Sequence, residues 1–189
     1  MISVTICHKV RLLAAVVMMV LLECIAIPVQ AVKLNFSAKL VPGTCSLSLD
    51  KSTLELGTVM QPSLQPATLL AVQPFTLTVQ DCNGNQGTLL TPVVNVSGDG
   101  VNQDGRWLFR AQESTTNSVG VMLVKTNVPP SYGETEVKNG DDIPLSAKGV
   151  NPANQNLTFY AGITCGSSGC ASPQAGVLTA RILFSLAYR

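Results

Sequence analysis

The segment GVLTARILFSLAYR, residues 176–189, carries an apolar side chain at every second position from Leu178 through Ala180, Ile182, Phe184 and Leu186 to Tyr188. A period of two belongs to an extended strand with one buried face, not to the 3.6-residue repeat of a helix. The pattern recurs in VKLNFSAKL, where Val32, Leu34, Phe36, Ala38 and Leu40 share a face. FTLTVQDC repeats it with Phe75, Leu77 and Val79, as do VGVMLV (119–124) and LTFYAGITC (157–165). Between these lie the turn clusters DCNGNQG, SGDGVNQDG, KNGDD and CGSSGCASPQAG, and no window carries a convincing helical period. Short strands with such punctuation predict an all-β chain folded as an antiparallel sandwich. Pro62, Pro66 and Pro74 mark an irregular stretch between the early strands. An edge as long and apolar as residues 176–188 invites aggregation unless something covers it.

The first 31 residues have the three-part layout of a secretory signal peptide. Lys9 and Arg11 precede an apolar run from Leu12 to Leu22, and small or apolar residues lead to an expected cut after Ala31. Glu23 interrupts the run short of the roughly 20 residues a membrane span needs. The chain has twelve basic and eleven acidic residues; Lys9, Arg11 and Glu23 precede the cut, leaving ten of each and a formal charge of zero. No basic block remains to attract nucleic acid. The single histidine, His8, is also lost, which removes Ser-His-Asp and Cys-His chemistry and the commonest zinc ligand. No catalytic residue, cofactor site or metal site is expected.

Four cysteines follow the cut, and four allow three pairings. The pairing expected is Cys45 with Cys82 and Cys165 with Cys170 across CGSSGC. In the chain-entropy view the longer loop contributes about 4 kcal/mol and the shorter about 2 kcal/mol. Neither pair has the two-residue spacing favoured by four-cysteine zinc sites.

Other chemistry-bearing residues have plainer readings. Asp99 to Gly105 offers oxygens but not the EF-hand order, and reads as a loop. Asp141 and Asp142 are adjacent and read as turn residues after Asn139-Gly140. Trp107, with Arg106, Phe109 and Arg110, could stack on a sugar, but reads first as a strand entering the core. Arg189 reads as a solvated terminal residue.

Both ends of this exported chain, with the features between them, point to one family. Residues 32–189 resemble the pilin subunits of chaperone–usher fimbriae. Tyr188 is penultimate, Gly176 is fourteenth from the end, and an alternating strand joins them. VKLNFSAKLVPGTC resembles the family's donor segment running into a cysteine, and NSVGVMLV, with Gly120, a mid-chain strand; the Cys45–Cys82 spacing also fits. The resemblance implies residues 1–31 as leader, 32–41 as N-terminal donor strand and 42–189 as pilin domain. That domain would be an incomplete immunoglobulin-like sandwich, lacking its final strand and completed by a donor from another chain. Val32, Leu34, Phe36, Ala38 and Leu40 would form the inserting face, with Ala38 where the family usually has glycine. Gly176, Leu178, Ala180, Ile182, Phe184, Leu186 and Tyr188 would form the strand beside the groove.

The implied partners are a periplasmic pilus chaperone, an outer-membrane usher and other fimbrial subunits, with export through the periplasm to a cell-surface fimbrium and a role in adhesion. The competing expectation is a self-contained secreted sandwich that binds carbohydrate.

Overall fold

The computed structural model describes residue 41 and residues 43–84, 86–168, 170 and 173–189. The expected leader, and Val32, Leu34, Phe36, Ala38 and Leu40, lie outside them. The described residues form nine strands and one short 3-10 turn, Gln61–Ser63. The strands are β1 Thr44–Leu49, β2 Leu70–Asn83, β3 Pro92–Ser97, β4 Gly100–Gln103, β5 Arg106–Phe109, β6 Gly120–Lys125, β7 Asp142–Pro144, β8 Gln155–Thr164 and β9 Leu183–Tyr188.

One sheet has the order β1-β2-β8-β6-β5-β4 and the other β7-β3-β9, with antiparallel neighbours throughout. The core lies between them. Phe75, Leu77 and Val79 of β2, Leu157, Phe159 and Ala161 of β8, and Val121 and Leu123 of β6 come from the larger sheet. Val94 and Val96 of β3 and Ile143 of β7 come from the smaller. Alternation in β2 and β8 therefore delivers one side chain in two to this layer, as a sandwich requires.

Pro74 sits inside β2 without breaking a ladder. It pairs with Tyr160 of β8, while Thr76, on the same side of the strand, already bonds Asp50, where β1 has ended. The missing N–H thus faces beyond the end of β1, where no ladder bond is lost.

Two expectations change. The VGVMLV stretch is buried on both faces: Val121 and Leu123 enter the main core, whereas Met122 and Val124 join Leu108 and Tyr132 in a second cluster. Tyr132, on the connection after β6, and Leu69 cover that outer face. The turn cluster SGDGVNQDG contains a strand, because Gly100–Gln103 pairs with β5 across a two-residue turn at Asp104-Gly105.

The connection from β6 to β7 is fastened by charge. Glu136, 7% exposed, accepts from Arg106 Nη1 at 2.8 Å and from the Trp107 N–H at 3.3 Å, with Lys138 Nζ at 3.5 Å. Burial acts to raise the Glu136 pKa, but backbone N–H donors and the two cations outweigh it and hold the carboxyl below its ordinary value. Arg106 also lies over the Tyr132 ring, 4.9 Å from its centroid.

Phe159, with no exposed surface, stacks on Phe75 at 5.5 Å between centroids. Its replacement by Ala leaves a large cavity, so Phe159→Ala should lose about 3–5 kcal/mol of unfolding free energy in a denaturant titration.

Candidate functional site

β9 is an edge strand. It pairs with β3 from Pro92↔Tyr188 to Ser97↔Leu183 and, among the described residues, has no hydrogen-bonded strand on its other side. Arg189 and Thr91 exchange both backbone hydrogen bonds, at 2.8 and 3.0 Å. Alternation along an antiparallel ladder then turns the amides of Ala187, Ser185 and Leu183 toward β3. The N–H and C=O groups of Tyr188, Leu186 and Phe184 face the open edge.

The same parity sends the side chains of these three residues to the core. The Phe184 ring lies 6.0 Å from Phe75 and 5.2 Å from Phe159, centroid to centroid. Phe184 and Leu186 nevertheless stay half-buried, as do Leu178, Ala180 and Ile182 before them. Tyr188 is 9% exposed; its buried hydroxyl has no partner among the described residues, and burial raises its pKa.

The strand expected over residues 176–188 is regular only from Leu183. Before that Leu178, Ala180 and Ile182 still pack against the core, but the backbone bonds go to the loop after β5. Ala111 N–H donates to Thr179 O at 2.7 Å, Thr115 N–H to Val177 O at 2.9 Å, and Val177 N–H to Thr115 Oγ1 at 2.8 Å. Gly176 lies against that loop, where a Cβ would come within 2.7 Å of Thr115 Oγ1 and 2.8 Å of the Thr116 nitrogen.

Three residues that the sequence did not single out form a second margin. Leu47 of β1, and Leu54 and Leu56 beyond it, pack against the same core and are also half-buried. From Lys51 to Val59 the chain makes no backbone ladder among the described residues. Leu54-Glu55-Leu56 does alternate, but three residues are too few to stand out from background. Half-exposed apolar side chains thus stand on β9 and on this second segment, and β9 keeps an amide edge without a strand partner among the described residues.

One end of β9 is pinned by charge. Arg189 is not simply solvated: its Nε donates to Asp142 Oδ2 at 2.7 Å and its Nη2 to Oδ1 at 3.4 Å. Asn95 Nδ2 donates to the same Oδ1 at 2.8 Å, so one carboxylate on β7 links β3 and the end of β9. Asp142 is thus the first residue of β7 and a link between three strands, beyond the turn role read from sequence. Cys45 joins Cys82, tying edge strand β1 to β2, and Cys165 joins Cys170 just beyond β8.

The four residues around Trp107 separate. Phe109 is fully buried and Arg106 is held by Glu136, whereas Trp107 and Arg110 line an open cleft of about 460 Å³ with Asp99, Gln112 and Asn139. Among the described residues no group of three or more His, Cys, Asp or Glu side chains is placed to hold a metal ion.

Among solved structures the chain is similar to a subunit from a chaperone–usher pilus whose structure addresses rod uncoiling, with a TM-score of 0.51 at 18% identity over 87% of this chain and 99% of that one. It overlaps more loosely with the P pilus rod subunit PapA, at a TM-score of 0.47 and 17% identity over 83% and 100% of the two chains. A Burkholderia pseudomallei antigen and type I fimbria protein gives a TM-score of 0.47 and 13% identity over 77% and 99%. No protein-family model and no curated protein matches the sequence. The fold is that of a pilus subunit.

The Arg189 and Asn95 hydrogen bonds hold the Asp142 carboxyl below its ordinary value of 3.8. The folded chain then binds fewer protons there than the unfolded chain, so this stabilisation is complete above the ordinary value and disappears as pH falls through the depressed one. Asp142→Asn should lower the thermal midpoint at neutral pH by about 1–3 °C and flatten its fall on acidification below about pH 4. Thermal scans across pH read both effects; parallel curves for the two proteins would contradict the assignment.

Proposed function

We propose that this chain, with its pilus-subunit fold and a last strand that has one strand neighbour among the described residues, is a structural subunit of a chaperone–usher fimbria. In this reading subunits polymerise by donor-strand exchange. The N-terminal segment of one copy or of another fimbrial subunit enters the groove beside β9 of the next, using Val32, Leu34, Phe36, Ala38 and Leu40 as its inserting face. A periplasmic chaperone occupies the groove first, and an outer-membrane usher hosts the exchange. The assembled fimbria stands on the cell surface and serves adhesion. Neither catalysis nor nucleic acid enters the reading.

The observation that carries it is the condition of β9. Its outward N–H and C=O groups are free among the described residues, while the core-facing Phe184 and Leu186 remain half-buried. An added strand answers both deficits at once. Main-chain hydrogen bonds complete the edge, and alternate side chains enter the gap between the two margins. Each large apolar donor side chain adds up to about 1.5–3 kcal/mol on full burial, an upper bound because the free chain already hides part of that surface. Half-buried apolar residues beside an unpaired edge support this reading over a closed sandwich, whose margins would be fully buried.

The test uses residues 42–189, oxidised, with and without a synthetic peptide of residues 32–42. The expected result is a large, slowly reversible rise in the denaturant midpoint on adding peptide. A truncated domain already stable and two-state, with no response to this peptide or to its Ala38→Gly version, would instead favour a closed carbohydrate-binding sandwich.

A further inference from the structure

β8 ends at Thr164, and the next residue, Cys165, has no exposed surface. The short loop that its disulfide to Cys170 closes sits where both margins of the groove begin. Toward one margin, the Ala67 N–H donates to Gly166 O at 2.8 Å, and the Gln61 side-chain amide donates to Pro173 O. Gln61 opens the 3-10 turn that follows the Leu54–Leu56 segment. The other margin leaves from Pro173: Gln174 N–H donates to Asn117 Oδ1 at 2.8 Å, and the bonds of Val177 and Thr179 to the loop after β5 follow.

The loop rests on a rigid platform. Asp104 Oδ2 accepts from the Ser167 and Ser168 N–H groups, both at 2.8 Å. Asp104 and Gly105 take positive φ values of 54° and 80° in the tight turn between β4 and β5, which fixes the carboxylate relative to the larger sheet. Gly166 has a φ of 86°, and a Cβ there would lie 2.4 Å from that carboxylate oxygen, so the loop approaches as closely as a glycine allows. The Gln103 side-chain amide donates to Cys165 O from the same hairpin.

We infer that the Cys165–Cys170 disulfide, seated on Asp104, is a positioning element for strand uptake that sets the geometry of both groove margins at one end. The inference rests on the strand-acceptor reading above. A bond between residues only five apart constrains the unfolded chain about half as much as the Cys45–Cys82 bond, which spans 37. Its local effect adds to that global one. Opening the bond loosens the Gly166 and Pro173 ends of these contacts, and through them the approaches to residues 54–60 and 174–181, while β2, β6 and β8 keep their ladders and core. An inserted strand then has two looser walls and leaves faster.

The test compares the full chain with Cys165→Ser/Cys170→Ser and with Asp104→Asn, which keeps the disulfide. Amide hydrogen exchange is read by segment, and release of a fluorescent peptide of residues 32–42 is timed. In the double variant, exchange at residues 53–60 and 174–182 should quicken about tenfold more than exchange in β2 and β8, and peptide release should quicken in proportion. Asp104→Asn should move the same segments in the same direction by less. Acceleration confined to residues 165–170, or at one margin only, overturns the proposal. So does unfolding of the double variant with no change at either margin in Asp104→Asn. If the peptide binds neither wild type nor variants, the strand-acceptor reading fails, and the exchange pattern separately decides whether the disulfide positions the margins.

Discussion

Among the described residues one ladder, between β3 and β9, holds the last strand in place, and what is distinctive about this molecule follows from its being one-sided. An antiparallel edge strand uses alternate amides on its neighbour and presents the rest outward. Here the outward set belongs to Phe184, Leu186 and Tyr188, the residues whose side chains enter the core. Among the described residues, unpaired backbone and incompletely covered apolar surface therefore coincide on one line. A polypeptide in extended conformation is the natural complement to both, because it offers amides along its edge and side chains at the matching period. Natural proteins usually blunt such an edge with charge, proline or a covering loop. β7, the opposite edge of the same sheet, shows that habit: three residues long, it begins with Asp142 and ends with Pro144.

The rest of the structure is organised to hold that edge still. At the Tyr188 end, Asp142 gathers Arg189 and Asn95, so the three strands of the smaller sheet share one carboxylate. At the other end, residues 177–179 are stitched to the loop after β5 and the Cys165–Cys170 loop gathers the approach to both margins. A preorganised groove loses less conformational entropy when a partner enters than a frayed one, which makes such fastenings matter to binding as well as to stability. The Phe75–Phe159–Phe184 ring cluster does the same from inside, joining β9 to β2 and β8 of the larger sheet.

Much of this was legible in the residues. Alternation located β2, β8 and the core-facing side chains of β9, since a period of two survives any tertiary context that buries one face. The cysteine pairs and the all-β class were legible for similar reasons: both depend on residue type and spacing. β3 was missed because in Pro92-Val-Val-Asn-Val-Ser97 the adjacent Val93 and Val94 break the period of two. The two-sided burial of β6 was missed because the residues covering its outer face, Tyr132 and Leu69, are distant in sequence. Asp142 and Arg189 are 47 residues apart, and only sheet formation makes them partners.

What the sequence determined by itself is the all-β class and the core-facing parity of its alternating strands, because both follow from local backbone geometry and from which side chains avoid water. The tertiary structure alone decided where the larger assembly of strands remains incomplete. That depends on which strand becomes an edge, on the arrival of Leu54 and Leu56 at the opposite margin, and on where the polar clamps fall. Those are long-range pairings, fixed by the balance of all the ladders at once, and no window of residues contains them.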